Sequence, residues 1–221
     1  ETVRTHVLIA PDGPQYSWNV HAEASTADDV GYVGTVLVNH LATFENVTPV
    51  FKVYGASNGA ALVHRILIEN GDVRITQLVV DSQPLDSMQH QGGHLHVGGP
   101  TNSYTSIKSA FTRRTYLGVF GGADGSIPIA GGESSLPASR VDPAALLTYE
   151  SWETTAHSIG IAFGHVGSQI EPLPDNSTMA RVSYADGGVL AYNFKRLGHG
   201  LLAEDAPAMV IVDFLAATQQ K

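Results

Sequence analysis

The chain has 221 residues, 43% of them hydrophobic and 15% charged, with a net charge of −9. That length suffices for one domain with a sizeable core, and an acidic chain without a lysine or arginine run argues against a nucleic-acid partner, whose phosphates need clustered cations. No apolar stretch is long enough to span a bilayer, and the complete lack of cysteine excludes disulfides, thiolate catalysis and cysteine-ligated metals.

In chain order, His6-Val7-Leu8-Ile9-Ala10 reads as a strand stopped by Pro11-Asp12-Gly13-Pro14. After a loop holding Trp18, a helix is expected from a cap at Ser25 or Thr26, with Asp28 and Asp29 in the first turn, where the helix dipole favours acids. Val30, Val33, Leu37, Leu41 and Phe44 step by three and four residues, the pattern of an amphipathic helix lying on a sheet. Asn46-Val47-Thr48 and Asn176-Ser177-Thr178 fit the glycosylation acceptor pattern, which matters only in a eukaryotic secretory host.

Val50 to Tyr54 is rich in β-branched and aromatic residues and reads as a short strand, and Ala60 to Glu69 reads as a buried helix closed by Asn70-Gly71. Between them lies Gly55-Ala56-Ser57-Asn58-Gly59. A strand that turns into a helix within one residue forces the serine into a strained conformation that only small neighbours tolerate. Its hydroxyl then stands clear at the strand's carboxyl end, with the Asn58 amide directed where an oxyanion would form. The plain alternative is a tight turn whose serine only caps the helix.

Ile75 to Val80 is expected as a further buried strand, followed from Asp81 to about Lys108 by a long polar, glycine-rich region expected to form a rim or lid. Tyr116 to Phe120 is the next strand, ending in Gly121-Gly122-Ala123-Asp124-Gly125. A helix is expected around Ala144 to Gly160, then paired alternating segments at Met179 to Tyr184 and Val189 to Phe194, and a closing helix from about Pro207 to Thr218. This alternation of helical and strand periods predicts an α/β fold with a mostly parallel sheet and helices on both faces, as one domain over residues 1–221.

A serine nucleophile needs a base, and histidine suits because its pKa lies near neutrality. Ligands of open α/β sheets sit at the carboxyl ends of strands, so the base should follow a late strand. His199, in Leu197-Gly198-His199-Gly200, does so; His165 is the rival but follows a helix. For the carboxylate that orients the base, Asp124 gives the chain order Ser, Asp, His, with Asp81 as the alternative. His90, His94 and His96 lack a carboxylate or cysteine at a recognised metal spacing and read as solvated loop histidines, with His90 edging the substrate cleft. No phosphate loop follows Gly121-Gly122 or Gly131-Gly132, so no metal or other cofactor is expected.

Val53-Tyr54-Gly55-Ala56-Ser57-Asn58-Gly59-Ala60-Ala61-Leu62, the upstream Ile9-Ala10-Pro11-Asp12-Gly13 with Ser17-Trp18-Asn19, Gly122-Ala123-Asp124 with Ile127-Pro128, and Gly198-His199-Gly200 carry a resemblance. They look like the α/β-hydrolases of the polyhydroxybutyrate depolymerase and feruloyl esterase group, from about Ile9 to Phe214. The resemblance implies Ser57 as nucleophile, Asp124 as acid, His199 as base and the Asn58 amide in the oxyanion hole; apart from it, Trp18, Trp152 and the tyrosines read mostly as core or rim, with Trp18, like His90, expected at the substrate. It also implies a secreted enzyme acting on phenolic-acid esters or polyesters.

Three features depart from that family. Its members begin with additional strands and a His-Gly segment supplying a second oxyanion amide, and nothing similar precedes Thr5, so the sheet is expected to lack its N-terminal strands. The second amide then comes from upstream residues or from the loop around Asp12 and Gly13. There are no disulfides, and Leu201 and Leu202 stand where such enzymes commonly carry tryptophan. A non-catalytic binding module on a hydrolase scaffold is the alternative function.

Overall fold

The computed structural model describes residues 7–21, 25–45, 48–137, 146–176 and 178–217. Asn46, Ser177, the start of the expected helix at Ala144 and its counterpart's end at Thr218 lie outside the described residues. The centre is a six-stranded mixed sheet built on a mostly parallel core. Strand β1 (Phe51–Ala56) leads into helix α3 (Asn58–Glu69), which returns the chain to β2 (Ile75–Asp81), parallel to β1. A parallel neighbour requires such a crossover, because the chain must travel back over the sheet before pairing in the same direction.

Further along run two short strands, β3 (His90–Gln91) and β4 (His94–Val97), with β5 (Ser106–Ile107), forming a small antiparallel sheet of their own. Then come β6 (Thr115–Gly121), the antiparallel pair β7 (Ala130–Pro137) and β8 (Leu146–Ser151), helix α4 (Trp152–Ala162), β9 (Leu173–Asn176), β10 (Met179–Tyr184), β11 (Val189–Phe194) and helix α5 (Asp205–Ala216). The strand order of the main sheet is β1-β2-β6-β11-β10-β9, with β1, β2, β6 and β11 mutually parallel, β10 antiparallel to β11 and β9 antiparallel to β10.

Burial explains the composition of the central strands. β2 and β6 are almost continuously buried, as strands covered on both faces must be. Leu78 and Val80 of β2 join the larger core under α3 and α4, with Ile66, Trp152 and Ile159, while Val79 points to the other face, to Ile211 and Phe214 of α5. Each such aliphatic side chain contributes about 2 kcal/mol relative to exposure. Arg65 of α3 fastens the adjoining loops to this layer: its guanidinium pairs with Glu69 at 2.7 Å and donates to the Asn19 carbonyl at 2.8 Å and the Gly99 carbonyl at 2.8 Å.

Several elements depart from expectation. Residues 7–10 form no strand, and Val7 and Leu8 are largely exposed, so β1 is the edge of the sheet among the described residues. An apolar, β-branched run becomes a strand only where a partner takes up its backbone groups. The helical segment after Trp18 begins at Asp28, whose carboxylate accepts from the Gly31 amide at 2.9 Å, rather than at Ser25 or Thr26. It comprises α1 (Asp29–Gly31), a π-helical stretch (Tyr32–Leu37) and α2 (Val38–Leu41). The wider π turn shifts the buried face, so Gly34 and Val38 are buried while Phe44 is exposed beyond the helix end.

The expected helix over 144–160 is a strand followed by a helix. Leu146–Ser151 pairs with β7, Leu147 and Tyr149 pack with Ile127 in a satellite core, and the helix starts only at Trp152. Ser151 caps it, its Oγ accepting from the Thr154 amide at 3.1 Å. Residues 81–108 carry β3 to β5 and bury Ser82, Gln83, Leu85, Asp86, Gln89 and His90.

Candidate active site

The residues singled out by sequence lie at the carboxyl ends of three strands of the parallel core, β1, β6 and β11, with β2 between the first two. Ser57 follows β1 with φ 53° and ψ −124°, a conformation that costs a non-glycine residue about 1–3 kcal/mol. The turn is possible because Gly55 lacks a side chain: a Cβ there would lie 2.2 Å from the Gly59 carbonyl oxygen. Ser57 occupies the cap position of α3, yet its side chain makes no capping bond. The turn is therefore not held by the hydroxyl. It is held by the backbone: the Ser57 amide donates to the Asp81 carbonyl at 3.0 Å and the Ser57 carbonyl accepts from Ala60 at 2.8 Å.

Asp124 and His199 meet. His199 Nδ1 lies 2.6 Å from Asp124 Oδ2, with the carboxylate fully buried and the imidazole about one-third exposed. The other carboxylate oxygen accepts from the amides of Ser126 at 2.8 Å and Ile127 at 3.0 Å, so the acid is fixed by its own turn before it touches the histidine. The two turns are pressed together: the Ala123 amide donates to the Leu197 carbonyl at 2.9 Å, and a Cβ on Gly121 would lie 2.0 Å from the Gly198 carbonyl oxygen. Gly121 is thus required by the approach of the histidine loop.

The rivals do not form such a pair. Asp81 at the end of β2 faces hydroxyls and backbone amides, among them Leu201 at 3.1 Å. His165 stacks edge-on against Tyr184 with centroids 5.1 Å apart, and its Nε2 is buried without a hydrogen-bond partner.

Asn58 has a second task that its residue type did not reveal. Its side-chain oxygen accepts from the Trp18 amide at 2.7 Å and the Ser17 hydroxyl at 3.3 Å, and its amide nitrogen donates to the Trp18 carbonyl at 3.2 Å. This clamp seats Trp18 over the start of α3, with its indole nitrogen 3.7 Å from where a Gly59 Cβ would be. The loop over Asp12 and Gly13 leads into this seat, where Gly13 approaches the Ser17 backbone and the Trp18 ring closely enough to exclude a Cβ.

His90 is not a solvated loop histidine. It is buried, with Nδ1 2.9 Å from Glu150 Oε1 and Nε2 3.2 Å from the Ser158 hydroxyl. Serine, histidine and glutamate in a row invite comparison with a triad, but Ser158 lies inside α4, where neighbouring amides are spent on the helix and none is left to stabilise an oxyanion. The set joins β3, β8 and α4. His21 and Asp86 form a comparable buried pair at 2.8 Å. Burial alone would push the Asp86 carboxyl up, but His21 and the amides of Gln89 and Met88 outweigh it and hold it below its ordinary value.

Among the described residues no cluster of three or more potential ligands can hold a metal ion, and no helix is long and apolar enough to cross a membrane. No protein-family model matches the sequence, and neither a curated protein nor a solved structure matches it, so the reading of this site stands on its own residues and their geometry.

Proposed function

We propose that the protein is a serine carboxylic-ester hydrolase of the α/β-hydrolase type, working through an acyl-enzyme. The observation that carries this reading is the 2.6 Å pairing of His199 with the buried Asp124 on the same edge of the sheet as the strained Ser57. In the reaction Ser57 Oγ attacks the ester carbonyl carbon while His199 Nε2 takes its proton. Asp124 holds the Nδ1–H tautomer and stabilises the imidazolium. The Asn58 amide, in the first turn of α3, is directed at the oxyanion of the tetrahedral intermediate. Collapse expels the alcohol with the proton from His199, and water, activated by the same imidazole, releases the acid.

Trp18, clamped beside the elbow, supplies a flat apolar wall for the acyl group. Phenolic-acid esters and polyesters are the substrate classes proposed, from the resemblance of the Ser57, Asp124 and His199 motifs. Ser57→Ala is expected to abolish hydrolysis of a short p-nitrophenyl ester and labelling by a fluorophosphonate, with an unchanged circular dichroism spectrum. Turnover retained in that variant would sink the proposal, and wild-type protein that neither turns over nor labels would favour a binding module.

A further inference from the structure

We infer that Asp81 is a positioning residue for His199, an assignment that rests on the reading of Ser57, Asp124 and His199 as the reacting set. Asp81 closes β2, is fully buried, and faces four donors without a cation among them. Ser82 Oγ donates to Oδ1 at 2.6 Å, Tyr54 Oη to Oδ2 at 2.8 Å, and the Leu201 and Leu202 amides approach at 3.1 Å and 3.2 Å. Ser82 in turn accepts from the Gly200 amide at 2.9 Å. Three consecutive amides immediately after His199 are therefore held by two adjacent side chains, and the loop's other flank is held by Ala123 on the Leu197 carbonyl.

The same residue also reaches the nucleophile, because the Asp81 carbonyl accepts the Ser57 amide at 3.0 Å. One residue thus fixes the backbone of both partners. A buried carboxylate without a positive partner is expensive unless its hydrogen bonds are complete, and Ser82 beside it is held at φ 65°, a strained value that persists only where the surroundings over-determine it. Neither cost is needed to end a strand. Both are accounted for if the end of β2 serves as the seat of the His199 loop.

A carboxylate has lone pairs for all four donors, whereas an asparagine offers one oxygen and brings two donors of its own. Asp81→Asn keeps the shape and the hydroxyl contacts, because Ser82 and Tyr54 can rotate to accept, but weakens the hold on the loop: an NH2 at the Oδ1 position takes away one of the two oxygens that the Leu201 amide reaches at 3.1 Å, and an NH2 at the Oδ2 position faces the Leu201 and Leu202 amides. The test has two arms. On p-nitrophenyl butyrate, kcat is expected to fall on the order of a hundredfold in Asp81→Asn with KM changed by less than about twofold. By long-range proton–nitrogen correlation on histidine-labelled protein at alkaline pH, wild type is expected to hold His199 as the Nδ1–H tautomer. Asp81→Asn is expected to shift it to a mixture dominated by Nε2–H.

An unchanged tautomer in Asp81→Asn, or a kcat within about threefold of wild type, overturns the inference and leaves the triad reading standing. If wild type hydrolyses no ester, the triad reading fails while the tautomer arm still decides whether Asp81 positions His199. Should Asp81→Asn not fold, Ser82→Ala removes the Gly200 acceptor and one donor to Asp81 while leaving the carboxylate on the Leu201 and Leu202 amides; the same tautomer shift with about a tenfold loss of kcat is expected, and the absence of both changes would overturn the assignment.

Discussion

At the scale of single residues, the division of labour within one carboxylate is the most consequential feature. Asp124 Oδ1 serves its own turn through the amides of Ser126 and Ile127, and Oδ2 serves His199. An Asp-Gly pair is an ordinary turn former, and here the turn and the proposed chemistry use different oxygens of the same group. Asp124→Asn separates the two. The asparagine oxygen can retain both amide bonds, so the fold should survive with a stability change within about 1 kcal/mol. Its NH2 then faces His199 Nδ1, which must accept, placing the imidazole proton on Nε2 where it can no longer take one from Ser57. The expected result is a loss of kcat on the order of ten-thousandfold with the thermal transition moved by no more than about 4 °C. Steady-state rates with calorimetry on the same preparation check it, and a loss below about tenfold would remove Asp124 from the reacting set.

At the scale of elements, the β1-to-α3 elbow is a packing problem solved by one missing side chain. A Cβ on Gly55 would lie 2.2 Å and 2.4 Å from the Gly59 carbonyl and 2.8 Å from Val63 Cγ2, and since two of those atoms are backbone, relief requires the helix itself to move. Gly55→Ala should cost about 3 kcal/mol or more in urea unfolding. Gly125→Ala, where nothing lies within 4 Å of the added carbon, should stay within about 0.5 kcal/mol. Equal stabilities would show that the elbow yields. The elbow was legible in sequence because small residues on both sides of a serine encode a backbone demand locally, and the glycines around Asp124 and His199 did so for their turns. Leu146–Ser151 was not, because leucine and glutamate favour helix and the deciding influence is a distant partner, β7. Nor were the Asn58 clamp on Trp18, 40 residues away, and the Asp81 seat for Leu201, 120 residues away, since side-chain bonds to remote backbone leave no periodic trace.

At the scale of the whole molecule, the sheet is closed by helices on both faces, and one of those interfaces carries an ionisable group with no route to water. His64 of α3 is fully buried against β6, with Nε2 3.0 Å from the Tyr116 hydroxyl, its ring stacked on that of Tyr116 and Nδ1 without a partner. Burial pushes its pKa down to about 4, only partly opposed by the negative charge of Asp86. The folded protein thus releases the proton that the unfolded chain keeps below about pH 6.5. Where the unfolded state binds more protons, stability rises with pH, so the contribution of neutral His64 is complete above that value and is lost as pH falls toward about 4. The shift is worth on the order of 3 kcal/mol across that window. His64→Phe keeps the stacking and removes the titration, at a cost of about 1–3 kcal/mol for the unpaired Tyr116 hydroxyl that does not depend on pH in this range. Urea unfolding of both proteins at pH 7 and pH 4.5 should give a wild type that loses stability on acidification by roughly 2 kcal/mol more than the variant does. Parallel losses would mean that His64 is protonated in the folded state or reached by water, and that the α3–β6 interface is not the dry layer its packing describes.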